Sequence, residues 1–395
     1  MKSNSAGAMY SAFCTVLLGV ICAFGLIPAD NTRGEDPASS LSMPGMPAVP
    51  DPANIYSEAG ANRLSPAVAS AFSRVYVPNI GSGDVYVIDP STFQVVDRFR
   101  VGGNPQHVVP SWDLKTLWVT GSANRGIDGK LVSIDPETAK PGRVVTVDDA
   151  YNMYFLPNGR AAIVVAEALR QLEFRDPQTM AFEYSLAVPD CAGVNHADFS
   201  IDGTYVIFTC EFGGRLVKID LLHNKVLGYL KLSRQGMPQD IRIAPDGKVF
   251  YVADMMADGV HVIDETSFTE VGFIPSGIGT HGLFPSRDGR KLYVANRGSH
   301  TASRARGQGS LAVIDFATRK VDTIWPIPDG GSPDMGNVSA DGRLLWLSGR
   351  FDRAVYAIDT TSGEVKKIPV GDQPHGLTVW PQPGRYSLGH TGNMR

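Results

Sequence analysis

The chain has 395 residues, of which 42 are Gly and 27 Pro, while 43% are hydrophobic. So many turn formers beside so large an apolar fraction exclude both a disordered chain and a coiled coil. The formal net charge of −4, from 36 basic and 40 acidic residues, leaves no positive surplus to track a phosphate backbone, so no nucleic-acid partner is expected.

In chain order, Lys2 is the sole charged side chain before Asp30, and Ala12 to Ile27 is an apolar run interrupted by Thr15, Gly19 and Gly25. This pattern reads as a signal peptide over residues 1–29, which would make the protein exported, either secreted or associated with the cell envelope. The run falls short of the ~20 residues of a spanning helix, so contact with a membrane is expected only through an uncleaved signal segment. Residues 30–66, with MPGMPAVPDP at 43–52, read as a Pro/Ser-rich extended linker.

From 67 to 384 the chain repeats. A short apolar strand ending in Asp occurs seven times: VYVID at 85–89, LVSID at 131–135, LEFRD at 172–176, LVKID at 216–220, VHVID at 260–264, LAVID at 311–315 and VYAID at 355–359. The spacing leaves room for four ordinary strands per unit. A second β-rich strand precedes each copy, as in VYVPN at 75–79, FYVAD at 250–254 and LYVAN at 292–296, and before it stands a turn such as Asp202-Gly203 or Asp246-Gly247. Seven such units predict an all-β, seven-bladed β-propeller of four antiparallel strands per blade. The first copy starts at its second strand and the chain ends on a lone strand, His375 to Trp380, so the C-terminal innermost strand is expected to close the ring. Residues 385–395 remain as a tail whose His390 is read either as a lid over the channel or as disordered.

The forms YVPN, YVAD and YVAN, followed by VxVID and a GxxPHG-like segment, resemble the YVTN-repeat propellers, in particular the YncE-like exported proteins, a WD40-like architecture. The closing stretch PQPGRYSLGHTGNMR is similar to that of secreted actinobacterial propellers. The resemblance implies the fold over about residues 72–395. It implies no single activity, because the wider superfamily includes binding proteins, haem d1 oxidoreductases and amine-dehydrogenase heavy chains.

Innermost strands and the ends of second strands meet at one mouth of a propeller channel, and functional side chains are expected there. Aligned on the Asp-Gly turn, the innermost strands place His107, Asn152, His196, Asp240, His281, Asp334 and His375 at equivalent points. Imidazoles with two carboxylates suit a divalent metal such as copper, with His107, His196, Asp240, His281, Asp334 and His375 as ligands and Met255, Met256 and Met335 as nearby thioethers. The same residues equally suit hydrogen bonds to neighbouring blades, or an organic ligand pocket. The His-Gly and Gln-His forms also differ in phase by one residue, which leaves open whether the rings converge. Asn152 and the second-strand ends Glu167, Glu211, Asp254, Asn296, Arg297 and Arg350 form a candidate ligand-binding rim for a small anion or zwitterion.

Cys191 and Cys210 flank one predicted hairpin and, in an exported protein, are expected to form a disulfide, the alternatives being two thiols or a thiolate beside His196. The loop at 297–310, with Arg297, Arg304 and Arg306, reads as a positive projection. No GxSxG, P-loop, CxxCH, HExxH or dinucleotide fingerprint is present, so the sequence leans away from an enzyme. The reading is an exported scaffold that binds a small ligand or an envelope protein at its channel mouth. The alternative is a metal-dependent, copper-like oxidoreductase or lyase with channel-mouth histidine ligands.

Overall fold

The computed structural model describes residues 42–395 except 123–127, 235, 302–306 and 391. The expected signal at 1–29, the first part of the linker and the Arg304/Arg306 centre of the 297–310 loop lie outside the described residues. Among the described residues no helix is long and apolar enough to cross a membrane.

Seven sheets of four antiparallel strands each form the fold. Blade 4 shows the plan, with strands Val194–Phe199, Tyr205–Cys210, Arg215–Asp220 and Lys225–Lys231 running from the channel outwards. The inner two strands are buried throughout, whereas the outermost is half-buried to exposed along its length. This gradient explains the composition, since inner strands need apolar side chains on both faces. Blades pack face to face: Ile163, Val165 and Phe174 of blade 3 meet Val206, Phe208, Val217 and Ile219 of blade 4 in one cluster. In blade 1, Thr378–Trp380 pairs with Arg74–Asn79, which is followed by Asp84–Asp89 and Gln94–Arg100. The last strand therefore closes the ring.

The recurring Asp has a local cause. Its side chain folds back on the turn after the third strand, as Asp89 Oδ1 accepts from Ser91 N at 2.9 Å, Asp220 Oδ1 from Leu222 N at 2.9 Å and Asp315 Oδ1 from Thr318 N at 2.8 Å. Such turns satisfy backbone donors that the fourth strand leaves unpaired. At the preceding hairpins Gly203 and Gly247 both adopt φ +70°, a conformation that glycine reaches without strain.

Residues 42–72 differ from the extended spacer read from the sequence. They run across the ring face that carries the Asp-Gly hairpins. Met43 N donates to Asp202 O, Ile55 N to Pro245 O, Asn62 N to Ala340 O and Phe72 N to Pro136 O, at 2.8 to 2.9 Å. Met43, Ile55, Tyr56, Ala59 and Val68 are buried as anchors. Isolated apolar anchors carry no period, so periodicity could not reveal them.

The tail is equally ordered and is neither a lid over the mouth nor disordered. Leu388 N donates to Asn393 O at 2.8 Å and Arg395 N to Tyr386 O at 3.1 Å, which makes a hairpin with His390 near its tip. Phe155 N donates to Leu388 O and His390 N to Met153 O, so this hairpin runs along the innermost strand of blade 3, Ala150–Phe155, into the channel. Arg395 Nη2 and Asn393 Nδ2 hold Asp198 Oδ1 at 2.8 and 3.0 Å and fix the hairpin's base.

Candidate functional site: a histidine-lined channel

Each innermost strand of blades 2 to 7 slips register near its start. The slips fall between Pro105 and Val108, Ala150 and Asn152, Val194 and Ala197, Pro238 and Ile241, Thr280 and Gly282, and Pro333 and Gly336. A bulge frees one or two residues from pairing and re-aims their side chains. The freed residues include His107, Tyr151, His196, Asp240, His281 and Asp334. The bulges therefore resolve the one-residue phase difference between the Gln-His and His-Gly forms. A hydroxyl on the second strand takes up the freed amide: His107 N donates to Thr120 Oγ1 and His196 N to Thr209 Oγ1, both at 3.1 Å, and Met335 N to Ser348 Oγ at 3.3 Å.

Every aligned channel residue is buried, but they divide into two groups. In the first, His107, His196 and His390 each bring a ring nitrogen within 4.8 Å of the others. Ring centroids are 5.4 Å apart for His107 and His196, 4.5 Å for His196 and His390, and 5.3 Å for His107 and His390. Both nitrogens of His107 and both of His196 lack a hydrogen-bond partner. Asn152 Nδ2 lies 2.9 Å from His390 Nδ1, and Asp240 Oδ1 lies 3.4 Å from His390 Nε2, which orients that ring. Burial, reinforced by neighbouring imidazoles, holds His107 and His196 well below the usual histidine range; burial and Arg242 do so for His390. All three are neutral at pH 7 and able to donate lone pairs. Gly376 permits the close fit, because a Cβ there would lie 2.0 Å from His107 Nδ1.

The second group centres on Asp334. Its Oδ1 lies 2.8 Å from His281 Nδ1 and from Arg297 Nη2, and its Oδ2 lies 2.7 Å from His375 Nδ1. Burial alone would raise this carboxyl, yet Arg297, His281 and His375 hold it well below the usual carboxylate range. Burial lowers His375 to about 4, and Tyr151 Oη lies 3.3 Å from its Nε2. Asp240 is also occupied: Arg242 Nη1 reaches Oδ1 at 2.8 Å, and Leu283 N of the next blade donates to Oδ2 at 2.9 Å. Of the six residues read as a metal set, the structure thus brings His107 and His196 together with open nitrogens, and it engages Asp240, Asp334, His281 and His375 in a surrounding network. Met255 is buried with Sδ 3.7 Å from Arg297 Nη1, whereas Met256 is exposed.

The rim divides as well. Asp254 accepts Met237 N, Met256 N and Ala257 N and lies 3.3 Å from His261 Nε2, while Asn296 bonds Ser276, Thr280 and Ser310; both shape loops. Glu211 accepts Asn195 Nδ2 at 2.6 Å and shares a hydrogen bond with Glu167, whose carboxyl is pushed well up by burial and by Glu211. Arg350 keeps Nε and Nη1 buried and unpartnered. Cys191 and Cys210 are joined with S–S 2.00 Å and tie the start of blade 4's innermost strand to the end of its second.

Sequence reasoning missed His390 as a channel residue, and with it Tyr151, Thr120, Thr209 and Arg395. A signal existed for the hydroxyls, since Thr120, Thr209 and Ser348 each stand next to last in a strand marker, LWVTG, YVIFTC or LWLSG. None existed for the tail, which lies outside the repeat.

A family profile described as a YNCE-like beta-propeller matches residues 47–383. Antigen Lp49 of Leptospira interrogans is 26% identical over 176 residues, which are 38% of this chain and 36% of the antigen, so the chain spans about a third of that relative. Among solved structures, hydrazine synthase of Kuenenia stuttgartiensis superposes with a TM-score of 0.58 at 17% identity, over 68% of this chain and 87% of that one. A protein of unknown function from Desulfotomaculum acetoxidans superposes with 0.63 at 13% identity, over 78% and 98%. These structural likenesses concern the fold alone.

Proposed function

The chain belongs to the YNCE-like β-propeller family, and from that premise we propose that it is a binding propeller whose channel holds one transition-metal ion of the copper or zinc class on His107, His196 and His390. One observation carries this reading: two neutral histidines with all four ring nitrogens unpartnered stand, fully buried, within 4.8 Å of a third. An unsatisfied buried polar atom costs about 1–3 kcal/mol, so several in one place need a ligand to offset them. Neutral imidazoles suit copper and zinc, and Asp240 beside His390 Nε2 supplies the carboxylate that usually orients a metal-bound histidine. Coordination through His390 Nδ1 would replace its contact with Asn152.

The apolar N-terminal run and the Cys191–Cys210 disulfide both support an oxidising location, secreted or in the cell envelope. The partner in this reading is the metal ion, with a small ligand or an envelope protein at the mouth. Elemental analysis of chelator-stripped protein reloaded with Cu(II) or Zn(II) should return one equivalent, lost in His196→Ala and kept in His223→Ala, whose ring is exposed. Wild-type protein that retains no stoichiometric metal would remove the proposal.

A further inference from the structure

Arg350 follows the second strand of blade 7, Leu344–Gly349, and its backbone N donates to Ser332 O at 2.9 Å. Its side chain enters the mouth beside Arg297, which follows the second strand of blade 6. The two guanidinium carbons each lie 5.9 Å from the centroid of Phe351, one ring shared by both. Arg297 is neutralised through Nε and Nη2 on Asp334 Oδ1 at 3.0 and 2.8 Å. Arg350 has no such partner, since Nε and Nη1 are buried and unbonded.

The neighbouring acids do not supply the missing charge. Asp334 is taken by Arg297, His281 and His375, and Asp240 by Arg242. Glu211 binds Asn195 and shares a proton with Glu167. The mouth is left with one guanidinium that no acid bonds: Asp334 and Glu211 favour its charge only from a distance, and burial outweighs them and lowers it to about 10. Removing a charge from water without a counter-charge costs several kcal/mol, and two unbonded N–H groups add to that. Propellers place ligands at such mouths, and arginine is the side chain best suited to a planar oxygen anion.

We propose that Arg350 anchors a binding site for a small oxygen monoanion, a carboxylate or an inorganic oxyanion, at the mouth above the histidine cluster. Tyr151, whose hydroxyl lies 3.3 Å from His375 Nε2 and which lies close enough to influence the Arg350 charge, offers a hydroxyl to the same anion. A single uncompensated cation selects for one negative charge over two. The site rests on Arg350 and its surroundings and not on the metal, so the two proposals stand or fall separately.

The test uses chelator-stripped protein and follows its unfolding midpoint against sodium acetate, nitrate and sulfate at constant ionic strength, with chloride as the reference salt. Acetate or nitrate is expected to stabilise saturably in the millimolar range, with sulfate weaker. Saturation by acetate alone identifies a carboxylate ligand, and by nitrate as well an inorganic oxyanion. Arg350→Gln should weaken the response at least tenfold and Arg350→Lys less, while Arg343→Gln on the opposite face leaves it unchanged. Without added anion, Arg350→Gln should be at least as stable as wild type, because it removes a charge whose Nε and Nη1 are buried without partners. Equal responses in wild type and Arg350→Gln, saturation by none of the three salts, or unfolding of Arg350→Gln would overturn the proposal.

Discussion

Lowering the pH of the metal-free protein from 7 to 4.5 should destabilise it sharply, and the channel fixes the sign. His375 titrates near 4 in the fold, because burial outweighs the favourable pull of Asp334, whereas an unfolded histidine titrates at 6.5. The unfolded chain therefore takes up this proton throughout the window while the folded protein does so only near its end. Stability is lost as pH falls from about 6.5 towards 4 and levels off below. Linkage gives about 2.5 kcal/mol for this ring alone between pH 7 and 4.5. His107, His196, His281 and His390 are also lowered and add in the same direction. His261 opposes them, since Asp254 and Glu270 outweigh its burial and raise it, so its contribution is present at low pH and lost as pH rises. Glu167 and Glu173 oppose them too, because burial raises both carboxyls and the fold takes up those protons before the unfolded chain does. The five lowered histidines outnumber these three groups. Asp334 is held below its ordinary value and matters only at more acidic pH. Urea unfolding followed by tryptophan fluorescence should show a net loss of stability at pH 4.5, smaller by about 2.5 kcal/mol in His375→Gln. A midpoint that is flat or rises between pH 7 and 4.5 would refute the buried, neutral channel.

Two further outcomes follow from other contacts. The Cys191–Cys210 bridge closes a loop with a sequence separation of 19, so replacing both residues by Ala should cost about 3 kcal/mol, read as a lower urea midpoint that added reductant no longer shifts. Breaking the buried Arg395–Asp198 pair with Arg395→Ala should loosen the tail's docking by about 3–5 kcal/mol, and because that hairpin can release without opening the ring, the loss should appear as limited proteolysis within residues 385–395 and weaker Zn(II) retention before any change in global unfolding. Resistance equal to wild type would count against that role for Arg395.

The blades were readable because each rests on local chemistry repeated seven times. Asp89, Asp220 and Asp315 mark the sequence because each ties its own turn, and the Gly of each Asp-Gly pair marks a backbone that must take positive φ. The channel positions of His107, His196, His281 and His375 followed from that alignment. Which of them converge did not, because bulges such as that between Pro105 and Val108 decide where a ring points, and a bulge leaves no periodic trace. The same limit hid Met43 and Tyr56, which act as single anchors, and His390, which reaches the channel from outside the repeat.

Ring closure by the final strand has a consequence for synthesis. Blade 1 joins the beginning of the repeat to its end, and Asn152 meets His390 across a separation of 238 residues. Blades 2 to 7 can form in order as they emerge, but neither the closed ring nor the third histidine exists until residues 378–390 are made. Binding at the channel would then report that synthesis has passed His390, and a product terminated before that residue would keep most of its sheets while lacking the site they enclose.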